Sequence, residues 1–252
     1  MSRDWDAATY DRVSEPQVGW AREVLARLDL RGDETVLDAG CGSGRVTRML
    51  LELLPVGRVI AVDAARSMVE QARAALPEDR VDVLPATDLT QLELEEPVDL
   101  VFSNAVFHWI EDHEVLFARL HAALRPDGRL VAQCGGAGNV DAFLRAATEV
   151  GSRPPFAEHL RGWTGPWRFE APAPTEERLR GAGFDEVHCW LSPGTVVPPE
   201  PLEYLRTVCL GHHLMELPEE LHSDFVTAVA ERCGEPLELD YVRLNIDARR
   251  SA

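Results

Sequence analysis

The sequence predicts an α/β fold: a seven-stranded, mainly parallel sheet with helices on both faces and a helical cap inserted after the fifth strand. Three observations predict it. Short apolar runs alternate with helix-spaced patterns from residue 34 onward, the signature of a doubly wound sheet. Residues 36–44 read Val-Leu-Asp-Ala-Gly-Cys-Gly-Ser-Gly, an apolar strand running into a loop with glycine at every second position. After Gly138 the texture changes to helical stretches broken by Pro154-Pro155, Trp163, Pro166-Trp167 and Pro172-Ala173-Pro174.

The elements follow in order. Residues 1–30 form a helical segment expected to lie across a bound ligand. Residues 35–38 are the first strand, and 46–54 carry helix-spaced apolar residues. Val59-Ile60-Ala61-Val62 is a continuously apolar second strand, as in a strand buried on both faces. A helix at 67–76 precedes a third strand at 81–84, and 98–103 is the fourth. Residues 111–124 form an amphipathic helix with Leu116, Leu120 and Leu124 at intervals of four. Pro126-Asp127-Gly128 turns the chain into a fifth strand at 129–134. Residues 139–182 are the cap. Strands resume at 184–191 and 239–247, with a helical stretch at 199–232 between them. The core therefore comprises 31–138 and 183–252.

Bulk composition limits the function. A chain of 252 residues with 45% hydrophobic residues suits one large α/β domain with a small cap. No apolar run approaches the ~20 residues of a membrane helix. The start, Met1-Ser2-Arg3-Asp4-Trp5-Asp6, lacks the charged-then-apolar pattern of a signal peptide, so a cytoplasmic location is expected. A net charge of −18 argues against nucleic acid and acidic membranes as partners. Five widely spaced cysteines without a CxxC pair indicate neither a disulfide framework nor a zinc ribbon. The sequence contains no lysine, which excludes lysine-based Schiff-base chemistry. No carboxylate or cysteine stands at a spacing that completes a metal site with His212-His213 and His222, which read as structural or surface groups, and no metal is expected. The oligomeric state is left open.

Glycines at 40, 42 and 44 let backbone approach a ligand closely. A dinucleotide fingerprint would need a third glycine at position 45, which is Arg45. The spacing Asp-x-Gly-x-Gly-x-Gly at 38–44 instead resembles the first motif of the class I S-adenosylmethionine-dependent methyltransferases, which implies a Rossmann-like sheet. Together with Ser103-Asn104-Ala105-Val106-Phe107-His108-Trp109 after the fourth strand, the chain resembles the trans-aconitate and malonyl-carrier ester methyltransferases. It also resembles plant and insect enzymes that methylate small carboxylic acids.

The resemblance implies S-adenosylmethionine as cofactor and places it along Asp38, Gly40, Cys41, Gly42 and Gly44, at Asp63, Ala64 and Met68, at Asp88 and Leu89, and at Asn104. Asp63 ends the second strand, where a carboxylate accepts from the ribose hydroxyls. Asp88 would accept from the adenine amino group while Leu89 packs on the ring; a turn-capping acid is the alternative. Asp38 would lie near the ammonium group. Cys41 needs no thiol chemistry.

For the acceptor, the resemblance implies hydrogen bonds to a carboxylate from Trp109 and from a glutamine in the N-terminal helix, for which Gln17 is the candidate. A carboxylate with pKa near ~4 is ionised at neutral pH and needs positioning rather than a base. A hydroxyl, amine or carbon acceptor would need one, and His108 is the candidate; His108 and Trp109 could instead simply pack beneath the cap. The six arginines of 139–182, matched by six acids, could receive an anion or form a solvated face. The expectation is O-methylation of a small, possibly anionic acceptor. The alternatives are the base-assisted reaction and a cofactor-binding protein without turnover.

Overall fold

The computed structural model describes residues 15–251, and side chains from residue 19 onward. The expected N-terminal segment is therefore seen in its second half, as helix α1 at Glu15–Leu25. The side chain of Gln17 lies outside the described residues.

The seven strands are β1 (Thr35–Ala39), β2 (Arg58–Val62), β3 (Val81–Val83), β4 (Val98–Asn104), β5 (Leu124–Gly135), β6 (Phe184–Val196) and β7 (Leu239–Arg250). They form one sheet in the order β3-β2-β1-β4-β5-β7-β6. The first five pair in parallel, and β7 runs antiparallel to both β5 and β6. The strand order reverses between β1 and β4, so the two carboxyl ends flank a crevice. This is where ligands bind in open α/β sheets.

Helices α2 (Arg45–Glu52), α3 (Arg66–Ala75) and α4 (His113–Ala123) connect these strands. Helix α4 begins two residues later than its apolar pattern predicts. The Asp112 side chain accepts from the Val115 N–H at 2.9 Å and fixes its start. Helix α5 (Asp141–Gly151), the short α6 (Ala157–Leu160) and α7 (Pro172–Gly181) follow β5. Between β6 and β7 run α8 (Pro201–Tyr204), a wide π-type turn (Leu205–Cys209), α9 (Gly211–Glu216) and α10 (His222–Cys233). No helix among the described residues is long and apolar enough to cross a membrane.

Three apolar cores hold these layers. Val24, Leu50, Leu54, Val59 and Phe102 fill one face of the sheet beneath α1 and α2. Leu116, Phe117, Leu120, Leu130, Leu179 and Phe184 fill the other. Phe143, Val150, Phe156, Tyr204, Leu205, Leu214, Phe225 and Tyr241 form a third core within the helices above the sheet.

These cores place the boundary of the cap elsewhere than expected. Helix α7 belongs to the sheet, because Leu179 is fully buried against it. The helices of 199–232, expected within the core, pack with α5 and α6 and complete the cap. Helical periodicity marks that a face is buried but not which partner buries it. Leu179→Ala should lower the stability of the whole domain by about 2–5 kcal/mol in chemical denaturation. A helix confined to a detachable cap would leave the main unfolding transition unchanged.

Candidate functional site

A cavity of about 870 Å³ opens at the β1/β4 crevice and runs beneath the cap. Its floor is the turn from β1 into α2. The Gly40 N–H donates to the Val62 carbonyl at 2.8 Å, drawing this turn across the end of β2. Gly40 has φ +95°, and a Cβ there would run into the Val106 methyls. Gly42, at φ +55°, donates its N–H to Asp63 Oδ2 at 3.0 Å. A Cβ on Gly42 would meet no atom within 4 Å, so the backbone is bare towards the cavity.

Two carboxylates stand beside this turn, Asp38 buried and Asp63 half-buried. Asp38 is 1% exposed and accepts from the Thr47 hydroxyl at 2.6 Å. Burial pushes its pKa up to about 7; the Thr47 hydrogen bond opposes the shift and the nearby Asp63 charge adds to it. Asp63 also accepts from the Ala65 N–H at 2.8 Å. Burial raises its pKa as well, against the backbone hydrogen bonds that stabilise its charge. An acid held half-protonated in a water-poor site is suited to receive a cationic ligand group, which would restore its full charge.

Asp38, Gly40, Cys41, Gly42, Asp63, Ala64, Met68, Asp88, Leu89 and Asn104 all line the cavity. Gly44 does not: it sits behind the loop at φ +87° and starts α2. Asp88 Oδ1 caps the turn after β3 by accepting from the Thr90 N–H at 2.8 Å, so the capping alternative is realised there while the residue still borders the cavity. Burial pushes the Cys41 thiol far up, keeping it protonated.

The upper half of the cavity is aromatic. Trp109 lines it and stacks on His212, with centroids 4.9 Å apart and planes at 27°. Trp20, Phe143, Trp167, Phe169 and Tyr241 complete the wall. His108 is buried, and its Nδ1 accepts from the Gly135 N–H at 3.2 Å. Burial and the Arg243 charge hold its pKa well below the usual histidine value. Neutral imidazole with Nδ1 as acceptor carries its proton on Nε2. His108 is thus a hydrogen-bond donor there, whereas the alternative of a hydroxyl, amine or carbon acceptor would need it as a base.

Of the six cap arginines, Arg168 alone lines the cavity, and each of the following is paired with a neighbouring acid. Arg145 pairs with Asp141 and Arg153 with Glu149; Arg180 pairs with Glu176 at 3.0 Å and Arg168 with Glu170 at 2.6 Å. Arg243 of β7 also lines the cavity and is 4% exposed. Sequence reasoning missed Arg243, Trp20, Tyr241 and His212. A signal existed in β7, where Tyr241, Arg243 and Asn245 share one strand face opposite Val242, Leu244 and Ile246.

Asp63→Ala should weaken S-adenosylmethionine binding by well over tenfold in calorimetry; unchanged affinity would remove Asp63 from the cofactor site. The Asp38 pKa is raised, so the free protein favours its protonated form as pH falls through about 7. A cationic group received beside Asp38 must displace that proton. Affinity should therefore rise with pH up to about 7 and level off above it, and Asp38→Asn should abolish that dependence.

Residues 37–132, which run from β1 to β5 and include most of the cavity floor, match the methyltransferase domain family. The trans-aconitate 2-methyltransferase of Delftia acidovorans is 31% identical over 244 residues, covering 91% of this chain and 89% of that protein. The trans-aconitate 2-methyltransferase of Methylobacterium nodulans is 33% identical over 190 residues, covering 75% of this chain and 67% of that protein. Other relatives of that name align over about half of their length. A phosphoethanolamine N-methyltransferase of Haemonchus contortus, solved with S-adenosyl-L-methionine, shares the fold. Its TM-score is 0.65 at 18% identity, over 98% of this chain and 57% of that one. A glycine turn bare towards the cavity, acids at the ends of two adjacent strands and 31% identity over nine-tenths of the Delftia enzyme lead to one conclusion: the chain belongs to the class I S-adenosylmethionine-dependent methyltransferases.

Proposed function

We propose that the protein methylates a carboxylate oxygen of a small organic acid. The observation that carries this reading is the state of His108. Its Nδ1 is committed to the Gly135 amide, so the histidine nearest the end of β4 is not poised to remove a proton. An acceptor that is already ionised needs no such step. The relatives named trans-aconitate 2-methyltransferase act on an acid of this class and support the same reading.

When bound, S-adenosylmethionine supplies a methyl group on a positively charged sulfur. The chain's own residues then have three tasks. Asp38, Asp63, Asp88, Leu89 and the Gly40–Gly42 turn hold the cofactor. Trp109 and His108 offer neutral N–H donors near the end of β4; such donors orient a carboxylate without the full charge that would dull its nucleophilicity. The aromatic wall excludes water, which strengthens those hydrogen bonds and strips solvent from the attacking oxygen.

A second reading, methylation of a neutral hydroxyl, is favoured by one observation: His212, expected to be structural or on the surface, lines the cavity stacked on Trp109. It would serve as base. A radiolabelled-methyl assay over acids and phenols separates the two. The carboxylate reading expects a product labile to mild base, and a kcat at saturating cofactor that stays flat between pH 6 and 9. A base-stable product and a kcat rising through the histidine range would replace it with the His212 reading. Trp109→Ala should lower turnover at least tenfold while cofactor affinity stays within a fewfold; surviving turnover would reduce Trp109 to packing.

A further inference from the structure

Arg243 is a buried cation in an acidic protein, on a cavity wall whose other arginine beside the aromatic residues, Arg168, is paired with Glu170 at 2.6 Å. Its guanidinium carbon lies 4.5 Å from the centre of the Trp20 ring, which holds it face-on from α1. Its Nε faces Gln133 Oε1 at 3.5 Å. Gln133 is fixed in turn, donating from Nε2 to Asn245 Oδ1 at 2.9 Å. Arg27 Nη1 donates to the same Asn245 oxygen at 2.6 Å, and Asn245 Nδ2 donates to Ser192 Oγ at 3.0 Å. A chain of buried polar groups thus runs from the end of α1, across β7 and β5, to the guanidinium. Such a network orients a charge that burial would otherwise penalise.

Position then decides what the charge can do. Arg243 pairs across the sheet with Gly135, at the end of β5. Asn104, at the end of β4, lies beyond β5 on the far side from β7. Arg243 is therefore set two strands from the end of β4, roughly 10 Å at the usual strand spacing. A guanidinium fork engages both oxygens of a carboxylate and lowers its basicity, which suits anchoring better than attack. The net charge of −18 would repel an anionic acceptor from the molecule at large, so a local cation is needed to hold one.

We propose that Arg243 is the specificity-determining residue of the acceptor site. It anchors a carboxylate other than the one methylated, so the preferred acceptor carries at least two carboxylates, and Gln133 is its positioning residue. This rests on the carboxylate reading above. The reaction stays a single displacement: one carboxylate oxygen bonds to the methyl carbon, the carbon–sulfur bond breaks with its electron pair on sulfur, and the second carboxylate remains ionised and paired throughout.

The test compares trans-hex-2-enedioate with trans-hex-2-enoate, acids of equal length that differ in one terminal carboxylate, alongside trans-aconitate. Wild-type protein should show kcat/KM for the diacid at least tenfold above that for the monoacid. Arg243→Gln should lower the diacid value ten- to a hundredfold more than the monoacid value, mainly through KM, and Arg243→Lys should recover part of the loss. Calorimetry with S-adenosylmethionine checks that each variant is folded. If Arg243→Gln does not fold, Gln133→Leu supplies the same readout, a raised KM for the diacid with kcat little changed. Equal use of both acids by wild type, or equal loss on both in the variant, would overturn the role of Arg243 and leave the carboxylate reading standing. Methylation of phenols but none of these acids would overturn that reading, and this proposal with it.

Discussion

The Asp63 carboxylate ties the site together. One oxygen accepts from the Gly42 amide and the other from the Ala65 amide, so a single side chain joins the turn after β1 to the turn after β2. Both turns must be held for the crevice to exist, because neither is covered by regular secondary structure. The same carboxylate is half-buried; burial raises the pKa of Asp38 beside it, and the Asp63 charge adds to that shift. Two acids close together in a dry place are costly unless a cation joins them. The site is therefore built to be completed by a positively charged ligand, at some expense to the stability of the free protein above neutral pH.

Above this acidic floor the chemistry of the wall changes. Trp109, Trp167, Phe169 and His212 contact one another in a continuous aromatic layer. The layer is assembled from distant parts of the chain: the segment after β4, the stretch between α6 and α7, and helix α9. It is bound to the sheet by the parallel bridge between Gly136 and Glu170 and by the hydrogen bond from the Arg168 N–H to the His108 carbonyl. The strand-end floor of the cavity and its aromatic wall are thus separate pieces of construction. The first can be shared among many enzymes of one fold while the second varies.

Much of the fold was legible in the sequence. The alternation of apolar runs and helical stripes marks β1 to β5 and their helices, because strands buried on both faces leave continuous apolar runs such as Val59–Val62. The glycines of 40–44 were legible for a related reason, since only a bare backbone fits beneath Val106 or opens towards a ligand. Three features were not legible. Periodicity could not tell that α7 packs on the sheet while 201–233 packs on α5, because an apolar stripe does not name its partner. It could not tell that β7 inserts antiparallel between β5 and β6. Nor could it tell that the cap arginines would pair with neighbouring acids, which depends on which helix face meets solvent.

By itself, the sequence determined strands β1 to β5, the glycine turn and the two acids at the ends of β1 and β2. These depend on residues close together in the chain, read through the periods of strand and helix. The tertiary structure alone decided the acceptor side. The tautomer of His108 is set by a backbone amide 27 residues away, and Arg243 reaches the cavity because β7 lies beside β5. Those properties arise from contacts between distant segments, and hydrogen bonding, burial and charge act through space rather than along the chain.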